Sequence, residues 1–114
     1  MEFRTELNSL VIGKKIKVMK TFKDIIFKQH SLGAGSIQGL LMLENGIELS
    51  IVAGETMYCT PKSSGNGPED FASFEVAVFD KNGFIIEEPK GWQSRGDINT
   101  LISLNVFITF IFLP

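Results

Sequence analysis

The stretch Ile37-Gln38-Gly39-Leu40-Leu41-Met42-Leu43-Glu44-Asn45-Gly46-Ile47-Glu48-Leu49-Ser50-Ile51-Val52-Ala53 decides the fold. Two apolar runs flank Asn45-Gly46, and Asn and Gly tolerate the positive φ angles of a type I′ turn, whose twist matches that of the strands on either side. In the second run Ile47, Leu49, Ile51 and Ala53 recur at every second position, so one face of an extended chain is apolar. The pattern predicts a β-hairpin with the Ile47–Ala53 face in the core.

Working outward, Gly33, Gly35 and Gly39 mark a turn region before the hairpin. Residues 10–19 put Ile16 and Val18 on one face and Lys15 and Lys17 on the other, the pattern of a half-exposed strand. Thr21 to His30 reads two ways. Phe22, Ile25, Ile26 and Gln29 fit helical spacing behind a Thr21 cap, whereas Ile25-Ile26-Phe27 suits a strand, the reading toward which the segment leans. After the hairpin, residues 54–73 hold Gly54, Pro61, Ser63, Ser64, Gly65, Asn66, Gly67 and Pro68, which predicts a long loop of the kind that carries function or moves. Phe74, Val76 and Val78 then alternate with Glu75 and Ala77, and Asp80-Lys81-Asn82-Gly83 repeats the Asn-Gly signal before Phe84-Ile85-Ile86, predicting a second hairpin. Ser94 to Asp97 has the form of a capping box with Asp in place of Glu, so a helix is expected from Arg95 to about Ser103. The tail Val106-Phe107-Ile108-Thr109-Phe110-Ile111-Phe112 is β-branched and aromatic, which favours a buried final strand or a subunit interface; the apolar run is short of the roughly 20 residues of a membrane span.

With 114 residues the chain has the length of one domain, 1–114. The fold class expected is mainly β (α+β), an antiparallel sheet of hairpins with a short C-terminal helix. Apolar residues are 44% of the chain and charged residues 21%, a globular composition. Ten Phe and a wealth of Ile and Val push it toward β structure. One cysteine, Cys59, and one histidine, His30, supply neither a disulfide nor the usual zinc ligands, and the start Met1-Glu2-Phe3-Arg4-Thr5-Glu6 lacks the form of an export signal. A cytoplasmic location with no metal and no cofactor follows as the expectation. The net charge of −2 hides a division: Lys14, Lys15, Lys17, Lys20, Lys23 and Lys28 face only Asp24, while Glu69, Asp70, Glu75, Asp80, Glu87 and Glu88 face only Lys81. Such a division fits solvated strand faces, or faces of opposite sign that suit self-association.

No catalytic constellation emerges, so the chain is read as a non-enzyme. Cys59 has no sequence cue bringing His30 to it and reads as a buried packing residue. Asp80-Lys81-Asn82-Gly83 has its glycine too early for a calcium loop. Glu87 and Glu88 are adjacent, so on a strand they point to opposite faces and cannot act as an acid–base pair. Arg95-Gly96-Asp97 has the letters of an integrin tripeptide, but without export these carry no meaning. Gly33-Ala34-Gly35 lacks the lysine and spacing of a phosphate loop. Nucleic-acid binding is disfavoured by the acidic balance. A small anionic ligand needs only a few cations, backbone N–H groups and an aromatic platform, which the long loop and Trp92 can supply.

Leu49-Ser50-Ile51, then Tyr58-Cys59-Thr60-Pro61-Lys62, then Phe74-Glu75-Val76-Ala77-Val78-Phe79, occur in an order that resembles a family of small phage and prophage proteins. In that family a strand runs into a Tyr-Cys-x-Pro-Arg turn, a loop follows, and a Glu-Val strand precedes a C-terminal helical segment. The likeness covers about residues 37–103, and some members are similar to Thoeris anti-defence proteins, oligomers that sequester cyclic ADP-ribose-type signals and related cyclic nucleotides. The resemblance implies that Tyr58, Pro61, Lys62 and Glu75 fall on the family pattern, with Lys62 replacing the usual arginine and so losing its planar fork. It further implies a non-enzymatic phage accessory protein whose partner is a small nucleotide, with Lys62 and Arg95 on phosphates, Trp92 or Tyr58 stacking on a base or packing on a ribose, and Glu75 nearby. A homo-oligomer is expected. The alternative expectation is an interaction protein that inhibits a host protein or self-assembles through its apolar end.

Overall fold

The computed structural model describes the backbone of residues 9–12, 15–18, 20–31, 35–43 and 46–112, and the side chains of 20–31, 35–43 and 46–104. Gly33, Lys14, Asn45 and the N-terminal six residues read above lie outside them, as do the side chains of Lys15 and Lys17.

Among the described residues seven strands, two 3₁₀ turns and one α-helix follow one another. Strands β1 (Ser9–Ile12) and β2 (Lys15–Val18) pair antiparallel as a separate ribbon, so the half-exposed strand expected over 10–19 is folded back on itself. A five-stranded antiparallel sheet contains β3 (Phe27–Gln29), β4 (Ile37–Met42), β5 (Glu48–Ala53), β6 (Phe74–Phe79) and β7 (Ile85–Gln93) in sequential order. Helix α1 (Arg95–Phe112) closes the described chain. The structure is therefore mainly β, an antiparallel sheet with a C-terminal helix.

The β4–β5 hairpin pairs Ile37 with Ala53 and Met42 with Glu48 in unbroken register. Its turn differs from the type I′ expectation. Leu43 N–H donates to Ile47 O at 2.8 Å and Gly46 N–H to Leu43 O at 3.0 Å, which leaves three residues in the loop, with Gly46 at φ +87°. That is the three-residue connection in which a glycine at positive φ ends the turn. The β6–β7 turn repeats it: Asp80 N–H donates to Phe84 O at 2.8 Å, Gly83 N–H to Asp80 O at 3.0 Å, and Gly83 sits at φ +86°. Asp80 Oδ1 also accepts from the N–H groups of Asn82 and Phe84, each at 2.9 Å, the local bond that makes Asp a turn former.

One face of the sheet is the core. Ile37 and Leu41 of β4, Leu49, Ile51 and Ala53 of β5, and Phe74, Val76 and Val78 of β6 are buried, with Phe22, Phe71, Ile98 and Ile102 packed over them. Strict alternation in β5 and β6 sends Glu48, Ser50, Val52, Glu75, Ala77 and Phe79 to the other face. The ambiguous segment 21–30 resolves into a single 3₁₀ turn, Phe22–Asp24, then the short strand β3. Thr21 N–H donates to Asp24 Oδ2 at 2.8 Å, closing a turn too short to become a helix.

Helix α1 starts where the sequence places it. Ser94 N–H donates to Asp97 Oδ2 at 2.9 Å and Asp97 N–H to Ser94 Oγ at 3.0 Å, the reciprocal capping pair. The Ser94 backbone N–H, and after it the Ser94 hydroxyl, hold the Asp97 carboxyl below its usual pKa. The helix continues to Phe112, so the final strand expected over 106–112 is corrected to helix. The reason is local: each residue added to a capped helix gains a hydrogen bond, no Gly or Pro interrupts 97–112, and Ile98 and Ile102, four apart, anchor its first turns in the core. Among the described residues no helix is long and apolar enough to cross a membrane.

Candidate functional site

Residues 54–73 leave β5 and return to β6 as a loop fastened at several points. Cys59 is buried, as expected of it; its Sγ accepts from Gly54 N–H and lies 3.3 Å from the carbonyl oxygens of Gly54 and Pro61. Thr60 bridges to Ser73, and Ala72 N–H donates to Thr60 O at 2.8 Å, so the two ends of the loop are joined. With Cys59 pointing in, its neighbour Tyr58 points out.

Tyr58 is held by its backbone on both sides. Its N–H donates to Glu75 Oε1 at 2.9 Å, and its carbonyl accepts from Trp92 N–H at 2.9 Å. The second bond brings the end of β7 against the loop, and the approach is tight: a Cβ at Gly91 would lie 2.5 Å from Tyr58 Cβ. Only glycine permits that contact.

The result is an aromatic pair on the surface. The rings of Tyr58 and Trp92 have centroids 5.2 Å apart at 34°, and each side chain is 55% exposed. Large aromatic side chains normally bury such area, so two exposed together are more informative than one. Lys62 completes the group, its Nζ 4.7 Å from the Tyr58 ring centroid and donating to Met57 O at 3.1 Å. An ammonium so placed fixes a positive charge at the rim of the aromatic surface. Trp92 has a further peculiarity. Its φ of +54° puts a bulky residue in the left-handed region, which costs on the order of 1–3 kcal/mol and is concentrated at functional positions.

Four of the five residues expected at the site, Tyr58, Lys62, Glu75 and Trp92, come together here. Glu75 does so as a support, its carboxylate engaged with Tyr58 N–H. Arg95 has other work. Its guanidinium donates to Pro68 O at 2.6 Å and Phe71 O at 3.1 Å and lies 5.1 Å and 5.3 Å from the Phe22 and Phe74 ring centroids, so it ties the long loop to the helix start and the core. The sequence reading missed Gly91, whose role depends on a close approach that spacing along the chain does not display. Among the described residues no three His, Cys, Asp or Glu side chains are grouped as a metal site. Comparison with protein-family models, curated proteins and solved structures finds no match to this chain.

Proposed function

We propose that this chain binds a small cyclic nucleotide or cyclic ADP-ribose-type signal at the Tyr58–Trp92–Lys62 surface and sequesters it without converting it. The observation that carries this reading is the half-exposed Tyr58–Trp92 pair with a lysine ammonium at its edge. A nucleobase offers a flat π face, and stacking on an aromatic side chain contributes about 1–3 kcal/mol per base. The phosphate meets Lys62, which can leave the Met57 carbonyl for a full negative charge and act as a point charge where an arginine would clamp two oxygens. Glu75 and Gly91 position the platform; neither is assigned ligand contact. The strain at Trp92 fits a side chain kept in place for binding. Resemblance to small phage proteins of the Thoeris anti-defence type supplies the setting: a phage accessory protein acting in the host cell against a nucleotide-signalling defence.

The test is isothermal calorimetry against a panel of cyclic mononucleotides, cyclic dinucleotides and cyclic ADP-ribose isomers, with the bound ligand recovered and weighed by mass spectrometry. Saturable heat with an intact ligand supports sequestration. Silence across the panel removes the nucleotide reading, and a changed ligand replaces it with an enzyme.

A further inference from the structure

The peptide group between Met57 and Tyr58 has a charged side chain at each end. Its carbonyl oxygen accepts from Lys62 Nζ at 3.1 Å, and its N–H donates to Glu75 Oε1 at 2.9 Å. Because one peptide unit bridges them, the ammonium and the carboxylate stand at most about 8 Å apart, within the Debye length at physiological salt. The peptide dipole runs between them with its oxygen end toward the ammonium. Lys62 and Glu75 therefore form a chain of charge, dipole and charge that sums to zero beneath the aromatic surface. Lys62 is exposed and Glu75 half-buried, and among the described residues no cation is paired with Glu75.

The positive charge free to meet a ligand here is a single unit. The Arg95 guanidinium is taken by the Pro68 and Phe71 carbonyls, and Lys90, two residues before Trp92, is paired with Glu87 at 3.6 Å. The loop itself leans the other way: over residues 54–73 Glu55, Glu69 and Asp70 stand against Lys62 alone. The aromatic surface is single too. Among the described residues the large aromatic side chains left exposed are Tyr58, Trp92 and Phe84, and Phe84 meets no other ring.

Resting on the nucleotide reading above, we infer that the site selects a ligand with one base and one phosphate charge, a cyclic mononucleotide, and that Glu75 sets this limit. One platform stacks one base, and one ammonium neutralises one phosphate. A second negative charge, as in a cyclic dinucleotide or cyclic ADP-ribose, finds no cation and meets the field of Glu75 and of the acidic loop. Rejection by a like charge is how a site discriminates between ligands that share its attractive contacts. Glu75 thus has two effects through one carboxylate: its oxygen holds the Tyr58 backbone, and its charge caps the charge of what binds on the other side of that peptide.

The test is calorimetry with cyclic AMP, cyclic GMP, AMP, cyclic di-AMP and cyclic ADP-ribose as probes. One cyclic mononucleotide should bind once per chain and at least tenfold more tightly than either cyclic ligand with two charges, as like-charge juxtaposition demands. AMP, which shares the base of cyclic AMP and carries two charges above a pH of about 6, separates charge from the number of bases. Glu75→Gln keeps an amide oxygen for the Tyr58 N–H and removes the charge, so the preference should shrink by about threefold or more while Trp92 emission and melting of the free protein stay as in the wild type. In the unaltered chain the preference should also shrink as salt is raised from about 0.01 M to about 1 M, where the Debye length falls from roughly 30 Å to 3 Å. Equal or tighter binding of a two-charge ligand overturns the inference and leaves sequestration standing, as does one cyclic dinucleotide shared between two chains. A preference that neither salt nor Glu75→Gln alters removes Glu75 from its role. Silence across the panel removes the nucleotide reading and this inference with it.

Discussion

The two hairpins of the main sheet turn by the same device and end in different fates. Both close a three-residue loop on a glycine at positive φ, Gly46 in one and Gly83 in the other. In β4–β5 the register is unbroken, and alternate residues of both strands are buried. In β6–β7 the register shifts between Phe74 and Val76, between Val76 and Val78, and between Val78 and Phe79, and from Ile85 to Lys90 every side chain is exposed. Pro89 adds to this, since proline is tolerated at an edge where no ladder donor is needed. The regular hairpin is where burial secures the fold. The irregular one is where the chain is free to lift Gly91 and Trp92 against Tyr58, because bulges redirect side chains at sheet edges.

The contrast breaks most visibly by truncating one isoleucine from each hairpin, a buried one and an exposed one. Ile51→Ala, in the middle of the regular hairpin, should lower unfolding free energy by about 2–5 kcal/mol through lost burial and a residual cavity. Ile86→Ala on the exposed strand should change it by less than about 0.5 kcal/mol, both read by urea denaturation.

The turns come next. A side chain at Gly46 meets strain at φ +87° and would set its Cβ 2.8 Å from Lys81 Cβ, whereas nothing lies within 4 Å of a Cβ at Gly83. Gly46→Val should therefore cost about 1–3 kcal/mol, and Gly83→Val less, the strain alone being common to both. Equal losses would show that the crowding at Lys81 does not matter.

At Trp92 the comparison sharpens into a trade of stability for function. Trp92→Gly should be more stable than Trp92→Ala by about 1 kcal/mol, because glycine has no Cβ penalty at positive φ. Both should lose ligand binding. The smallest effects belong to the helix start, where Ser94→Ala should cost about 1 kcal/mol by removing the cap. Asp97 has its folded pKa lowered, so its contribution is present above the ordinary value of 3.8 and is lost as pH falls below that toward the folded pKa. The acid limb of a thermal melt series should flatten in Asp97→Asn.

How much of this was legible in the residues alone varies for physical reasons. Alternation in β5 and β6 and the Asn-Gly pairs announced both hairpins, since these signals are local, but the loop length depends on which partners the turn closes and was misread. Ser94 and Asp97 announced the helix, while the β-branched and aromatic tail suggested a strand; propagation from a capped, anchored start overrode weak intrinsic preference. Tyr58 and Trp92 meet only through a backbone bond across the sheet end, a long-range contact that no spacing along the chain reveals. Arg95 was expected at the ligand because arginine suits phosphate, yet the nearby Pro68 and Phe71 carbonyls occupy it.

Trp92 is the chain's sole tryptophan, which makes the central claim open to direct optical measurement. Its emission, followed during titration with cyclic nucleotides and cyclic ADP-ribose isomers, should change saturably with one ligand class, and Lys62→Ala should weaken the response at least tenfold while the free protein's spectrum and melting stay close to wild type. A ligand that binds by calorimetry but leaves Trp92 emission and the Lys62→Ala affinity unchanged would contradict the assignment of this surface as the binding site.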